Sequence, residues 1–349
     1  MKNICIIAGA RPNFVKIAPL IRAIRATEGA HYVVIYTGRE DDASLEPTLF
    51  DDLQMPHPDV FLGVDSVRLN EITSQVMARF DSFLDSHPVD VVIVVDDLAS
   101  TMAAAIVTKK RGIKLAHLVA GTRSFDIQMP KEINRLVIDA LSDYLFTAGV
   151  KSNSIASRSQ GDASQTYMVG NILMDTLRYN YQRLQRPRLD LQENNYFVLT
   201  LNRKALLANQ EQLKQMLDAM VAAAGDMPIL APLRQDAHDT VAALNDRIRL
   251  ISPLSYLEFG WLTAHAKGII TDSGNVAEEA TFNNVPCITL NSYTEHQETV
   301  SIGTNELVGG DVELLSTAIQ KILQNNWKKS SLPDRWDGRT AERIVKILL

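Results

Sequence analysis

Short, unbroken apolar runs, each closed by a turn and followed by a helix-forming stretch, set the tightest limit on the fold of this chain. Ile4-Cys5-Ile6-Ile7 is the first of them. An apolar run without alternation marks a strand covered on both faces, as in a parallel sheet. Residues 33–36, 90–95, 114–119 and 144–147 repeat the pattern. A helical stretch from about Val67, with Ile72, Val76, Phe80 and Leu84 at fourfold spacing, lies among them. Repeated β-α units imply an α/β fold with parallel strands. The pattern pauses over residues 180–194, which are polar. A second series then starts at residues 196–201 and continues near 229–231, 248–250, 268–270 and 287–290. The spacing predicts two doubly wound Rossmann-like domains, 1–180 and 181–334, with a cleft between their strand ends. Residues 335–349 read as an amphipathic helix with Ala341, Ile344, Val345 and Leu348 on one side, a candidate to pack back on the first domain. Residues 39–66 are polar and irregular, and are expected to form an active-site loop.

Composition narrows the function. The 349 residues are 46% hydrophobic and carry a formal net charge of −6, without a block of like charges. That supports a sizeable core and argues against a nucleic-acid or anionic-membrane surface. Anionic ligands must then be met by single Arg or Lys residues and by helix N-termini. The two cysteines, Cys5 and Cys287, sit in apolar runs, so neither a disulfide framework nor a metal site is expected. Met1-Lys2-Asn3-Ile4 enters a strand without a signal sequence, and no apolar run is long enough to span a bilayer; the expectation is a soluble, cytoplasmic protein.

Chemistry concentrates where strands end. The apolar run Ile269-Ile270-Thr271 stops at Asp272-Ser273-Gly274, and a helix-forming stretch begins at once. Gly274 allows a tight turn, Ser273 offers a hydroxyl, and the first N–H groups of the new helix lack partners within it, so the corner suits a phosphate. Glu279 lies about a turn and a half further on, within reach of a ribose. An ordinary turn with a Ser cap fits the same residues. Arg11 and Lys16 flank the helix that follows the first strand, where a diphosphate could sit or where both could simply be solvated. Asp96-Asp97 ends the strand of 90–95, at the carboxyl edge where open α/β sheets hold ligands. These acids suit catalysis and equally suit capping of the helix from Ser100 to Lys110. Asn134 and Arg135 are expected to face one cleft, His117 reads as a core histidine, and His265 as structural.

Taken together, several stretches resemble the non-hydrolysing UDP-N-acetylglucosamine 2-epimerases. They are Gly9-Ala10-Arg11-Pro12 with Lys16; Asp97 with Ser100-Thr101; His117 with Ala120-Gly121 and Arg123; Glu132 with Asn134-Arg135; Gly170-Asn171; Tyr256 with Phe259; Thr271-Asp272-Ser273-Gly274 with Glu278-Glu279; Thr294-Glu295 with Glu298; Gly303-Thr304; and Asp337-Gly338 with Ala341-Glu342-Arg343-Ile344. The resemblance implies a glycosyltransferase-B-like fold, a homodimer, no cofactor and no metal, with UDP or a UDP-N-acetylhexosamine as partner. It implies elimination of UDP across C1–C2 of the sugar and its re-addition with C2 inverted, giving UDP-N-acetylmannosamine for surface polysaccharides. It places Arg11, Lys16, Phe259, Ser273, Gly274, Glu279 and His296 around the nucleotide, and Asp97, Glu132 and Arg135 around the chemistry.

The match breaks at the proton-handling positions. The family's His-Val-Glu-Ala-Gly is His117-Leu118-Val119-Ala120-Gly121 here, and its Pro-Glu-Glu-x-Asn-Arg is Pro130-Lys131-Glu132-Ile133-Asn134-Arg135. A catalytic His is replaced by Asn202, and an Arg near the diphosphate by His296. Val119 and Asn202 cannot titrate, and Lys131 reverses a charge. General acid–base groups contribute roughly 10²–10⁴-fold each. Three readings follow: a 2-epimerase; a divergent member that transfers or hydrolyses a nucleotide sugar or serves as a non-catalytic binding subunit; and, ranked last, a purely structural protein.

Overall fold

The computed structural model describes residues 1–46, 48–159 and 164–349, and of Ser159 only the backbone. Thirteen strands among the described residues form two parallel sheets. The first holds β1 (Lys2–Ala8), β2 (Ala30–Tyr36), β3 (Val60–Phe61), β4 (Val91–Val95), β5 (Lys114–Leu118), β6 (Tyr144–Thr147) and β7 (Gln165–Met168), in the order β3-β2-β1-β4-β5-β6-β7. The second holds β8 (Phe197–Thr200), β9 (Ile229–Pro232), β10 (Arg249–Ile251), β11 (Gly268–Thr271), β12 (Cys287–Thr289) and β13 (Asn305–Leu307), in the order β10-β9-β8-β11-β12-β13. The order reverses between β1 and β4 in one sheet and between β8 and β11 in the other. Such switch points open a crevice at the carboxyl edge of a doubly wound sheet.

The chain divides into two compact units. Unit 1 is Met1–Tyr179 with Asp334–Leu349, and unit 2 is Asn180–Pro333. In unit 1, Cys5, Ile7, Val92 and Val94 pack with Val76, Phe80, Ala103 and Val107. Ile4 and Ile6, which point the other way, are also fully buried. Helices therefore cover both faces, which is why these strands are continuously apolar. Unit 2 buries one face under Leu213, Met216, Leu217 and Ile319, and the other under Leu262, Val276 and Ala280.

Several expected boundaries shift. Residues 39–66 are not wholly irregular: the helix Leu49–Leu53 buries Leu49, Phe50 and Leu53, and β3 pairs with β2. The helix expected from about Val67 begins at Leu69, and β5 stops at Leu118 because Val119 turns left-handed, with φ 72°. The terminal helix spans Thr340–Leu348, not 335–349. Residues 335–339 form a turn in which Trp336 is buried and its Nε1 donates to the Ala148 carbonyl at 3.1 Å. Besides β3, two strands had no clear signal: β7 and β13 are short edge strands with polar residues.

Candidate functional site

In unit 1, the ends of β1 and β4 bring a dense ionic cluster together. Asp96 sits in a left-handed turn, φ 59°, a conformation costing roughly 1–2 kcal/mol for a residue other than glycine. Its carboxylate accepts from Asn13 Nδ2 at 2.8 Å and from Lys16 Nζ at 2.6 Å. Arg11 is ion-paired with Glu46. Both cations that the sequence offers to a diphosphate are thus matched to carboxylates of the same unit.

Asp97 does not cap the following helix, whose N-cap is Leu98. Its Oδ2 instead takes Arg135 Nε at 2.8 Å and Nη2 at 2.6 Å, while Lys131 Nζ lies 3.4 Å from Oδ1. Asn134 Nδ2 donates to the Asp97 carbonyl at 2.8 Å, so the helix Pro130–Leu141 grips this turn with Lys131, Asn134 and Arg135. Burial pushes the Asp97 carboxyl up, but the charges of Lys131, Arg135 and Lys16 outweigh it and hold it below the usual carboxylate range. Glu132 is buried and accepts from Ser124 N at 2.8 Å, Ser124 Oγ at 2.9 Å, Phe125 N at 3.2 Å and Arg135 Nη1 at 3.1 Å. Burial pushes its carboxyl up too, but the Ser124 donors, Arg135 and the Phe125 amide bring it below its ordinary range. With four donors on two oxygens, Glu132 positions Arg135 and the 124–125 loop. Val119, where the resemblance places a family carboxylate, is a β-branched residue at positive φ, and such strain clusters at functional sites.

In unit 2, the ends of β8 and β11 form the corner that the sequence offers to a phosphate. Ser273 is the N-cap of the helix Gly274–Asn283, but its hydroxyl makes no capping bond and has no partner among the described residues. The expected alternative, a simple Ser cap, does not occur. The backbone bond from Ala277 N to Ser273 O, at 3.2 Å, leaves the N–H groups of Gly274, Asn275 and Val276 without partners in the helix. Asp272 is buried, and its Oδ2 accepts from Asn202 N at 2.8 Å and Arg203 N at 2.7 Å, tying the loop after β8 to the corner. Arg203 lies 5.6 Å from the ring centre of Tyr293, and among the described residues no carboxylate pairs with it. Arg234, after β9 on the same edge, also lacks a carboxylate partner there. Glu279 is buried on the helix, Phe259 packs on the core from the helix Tyr256–Ala264, and His296 Nε2 lies 3.4 Å from Glu278. Sequence reasoning missed Arg203 and Arg234; their place directly after strands at the carboxyl edge was the available signal.

These geometries define a protein of the α/β class with two doubly wound units, each with polar groups gathered at its switch point, in the manner of the glycosyltransferase-B-like proteins. The family model described as UDP-N-acetylglucosamine 2-epimerase matches residues 22–349, and the chain belongs to that family. It is 32% identical to the UDP-N-acetylglucosamine 2-epimerase of Methanocaldococcus jannaschii, over 99% of this chain and 98% of that one. The structure of that enzyme in complex with UDP-GlcNAc and UDP superposes with a TM-score of 0.84, covering 99% of each chain. A relative from Pseudomonas aeruginosa, 29% identical over 99% of each chain, is named UDP-2,3-diacetamido-2,3-dideoxy-D-glucuronate 2-epimerase. Among the described residues, no helix is long and apolar enough to cross a membrane.

Proposed function

We propose that this chain binds a UDP-N-acetylhexosamine, with the diphosphate at the 271–276 corner of unit 2, and that it is a divergent member in which C2 epimerisation is suppressed. The first half is supported by the Ser273 hydroxyl and helix N-terminus, both without internal partners, by Arg203 beside them, and by the ligands in the related M. jannaschii structure. In this reading Phe259, Gly274, Glu279 and His296 belong to the nucleotide side.

The observation that carries the second half is the state of Asp97. Removal of a C2 proton beside an amide nitrogen needs a base well matched to its task. Asp97 is instead held below the usual carboxylate range between Arg135 and Lys131, which makes it a weak base. Val119, Asn202 and Lys131 supply no carboxylate or imidazole to replace it. Departure of UDP from C1 asks for cations rather than a base, so hydrolysis, glycosyl transfer or binding alone remain compatible with the cluster. The second reading, retained epimerisation by Asp97, Glu132 and Arg135, is favoured by family membership over nearly the whole chain. A homodimer is part of the same proposal, to be checked by light scattering.

The test is a proton NMR time course of UDP-N-acetylglucosamine with the protein in D₂O, beside a calorimetric titration with UDP. The expected result is UDP binding without deuterium at C2, and C2 exchange appearing in the V119E/K131E variant. Deuterium at C2 with UDP-N-acetylmannosamine formed by the unaltered chain overturns the suppression. Absence of UDP binding overturns the ligand. A screen of other nucleotide sugars, including a UDP-linked uronate, then identifies the substrate.

A further inference from the structure

Behind the Asp96–Asp97 turn lies a buried triad that the proposed chemistry does not use. His117 faces Val94 across β5 and β4, and it, Asp139 and Arg123 are all buried. His117 Nδ1 lies 2.5 Å from Asp139 Oδ1, and Nε2 lies 3.0 Å from the backbone oxygen of Asp96. A carbonyl oxygen only accepts, so Nε2 carries a proton. A neutral imidazole has one N–H, which would leave Nδ1 bare against a carboxyl oxygen. Two acceptors do not sit at 2.5 Å without a proton between them. The pair therefore holds a second proton. Asp139 Oδ2 also accepts from Arg123 Nη1 at 2.6 Å and from Gly121 N at 3.1 Å, an arrangement that favours the carboxylate.

We infer that His117 is a buried imidazolium and a positioning residue: with Asp139 and Arg123 it forms a positively charged latch that holds the Asp96 carbonyl, and so the left-handed turn that presents Asp97 to Arg135 and Lys131. The rest of the turn is held from other sides, with Asn134 Nδ2 on the Asp97 carbonyl. The Asp96 N–H donates to Leu118 O at 3.2 Å, and the Asp96 side chain is occupied by Asn13 and Lys16 on the other side. This inference rests on the geometry of unit 1 alone and stands whether or not the chain binds a nucleotide sugar.

The experiment is nitrogen–proton correlation NMR on the full chain labelled at histidine, at neutral pH, on the parent and on D139N and H117Q. In the parent, one imidazole is expected to show both ring nitrogens in the protonated range, with a far-downfield Nδ1 proton that exchanges slowly. The absence of that signal from H117Q assigns it; if H117Q does not fold, the slow exchange of a proton shielded from water distinguishes it from exposed histidines. In D139N the second proton is expected to be lost, and the Asp96 amide to exchange at least tenfold faster, while circular dichroism remains that of the parent. A parent His117 with one bare ring nitrogen overturns the inference. So does a D139N protein in which both nitrogens stay protonated and Asp96 exchange is unchanged.

Discussion

Replacing Asp175 by alanine should detach the C-terminal helix from unit 1. The residue lies in the helix Ile172–Asn180, yet it caps another: its Oδ2 accepts from Thr340 N at 3.1 Å and its Oδ1 from Ala341 N at 2.8 Å. Arg339, the N-cap of Thr340–Leu348, offers no side-chain bond, so the cap comes from a segment more than 160 residues away. Asp175 is 7% exposed, and both amides are buried with it. A buried donor left unpaired costs about 1–3 kcal/mol and a lost cap about 0.5–2 kcal/mol. Two donors sharing one cap give roughly 2–4 kcal/mol for Asp175→Ala, and about half that for Asp175→Asn, which keeps one acceptor. For a unit of this size the alanine variant should lower Tm by roughly 5–12 °C. Burial pushes the Asp175 carboxyl above its ordinary value, so its folded state binds the proton more tightly than the unfolded one. Its contribution is therefore full at low pH and declines as pH rises through the folded value. The Asp175→Asn penalty should shrink over the same range. Thermal melts and limited proteolysis around residues 334–349 read both effects. An Asp175→Ala protein within about 0.5 kcal/mol of the parent would refute the reasoning.

Ser273→Ala separates cap from ligand: the free hydroxyl implies a stability change within about 0.5 kcal/mol in urea melts, while UDP affinity should fall roughly tenfold by calorimetry. Gly121, at φ 76°, has its missing Cβ directed at the Ser152 carbonyl oxygen. Gly121→Ala should therefore cost about 2–4 kcal/mol in the same melts, from left-handed strain and overpacking together. The carboxyls of Asp97, Glu132, Asp139 and Asp143 are all held below their ordinary values, by partners that outweigh burial. Each then stabilises the fold above its unfolded value and loses that contribution as pH falls through the folded one. Urea midpoints should be lower at pH 4 than at pH 7, and an unchanged midpoint would contradict these ion pairs.

How far the sequence reached depended on whether a residue's partner was near in sequence or in pattern. The apolar runs specified both sheets because covered parallel strands have no alternation to hide them. β7 and β13 escaped because an edge strand such as Asn305-Glu306-Leu307 has one flank unpaired and keeps polar residues. The 271–276 corner was legible because strand, turn and helix are contiguous. Whether Ser273 capped was not, since that turns on one side-chain torsion. Arg11 and Lys16 read as free cations because their partners, Glu46 and Asp96, lie 35 and 80 residues away. Asp97 showed as an acid at a strand end, but its pairing with Arg135 arises only when the helix Pro130–Leu141 docks beside β4 and β5. His117 was correctly a core residue, yet no sequence feature says that both its nitrogens face acceptors.

The excursion of the chain from Tyr179 to Asp334 orders events during synthesis. Unit 2 is one uninterrupted segment, so every residue it needs has been made by Pro333. Unit 1 is not. Its Asp175 waits for Thr340 and Ala341, the Ala148 carbonyl for Trp336, and the Lys2 ammonium for the Leu348 carbonyl. The segment translated first is thus the last to be completed, by closure of a loop that holds the whole of unit 2. Mutations that slow that closure would expose the 172–180 helix and the start of β1 to chaperones and proteases while unit 2 is already folded.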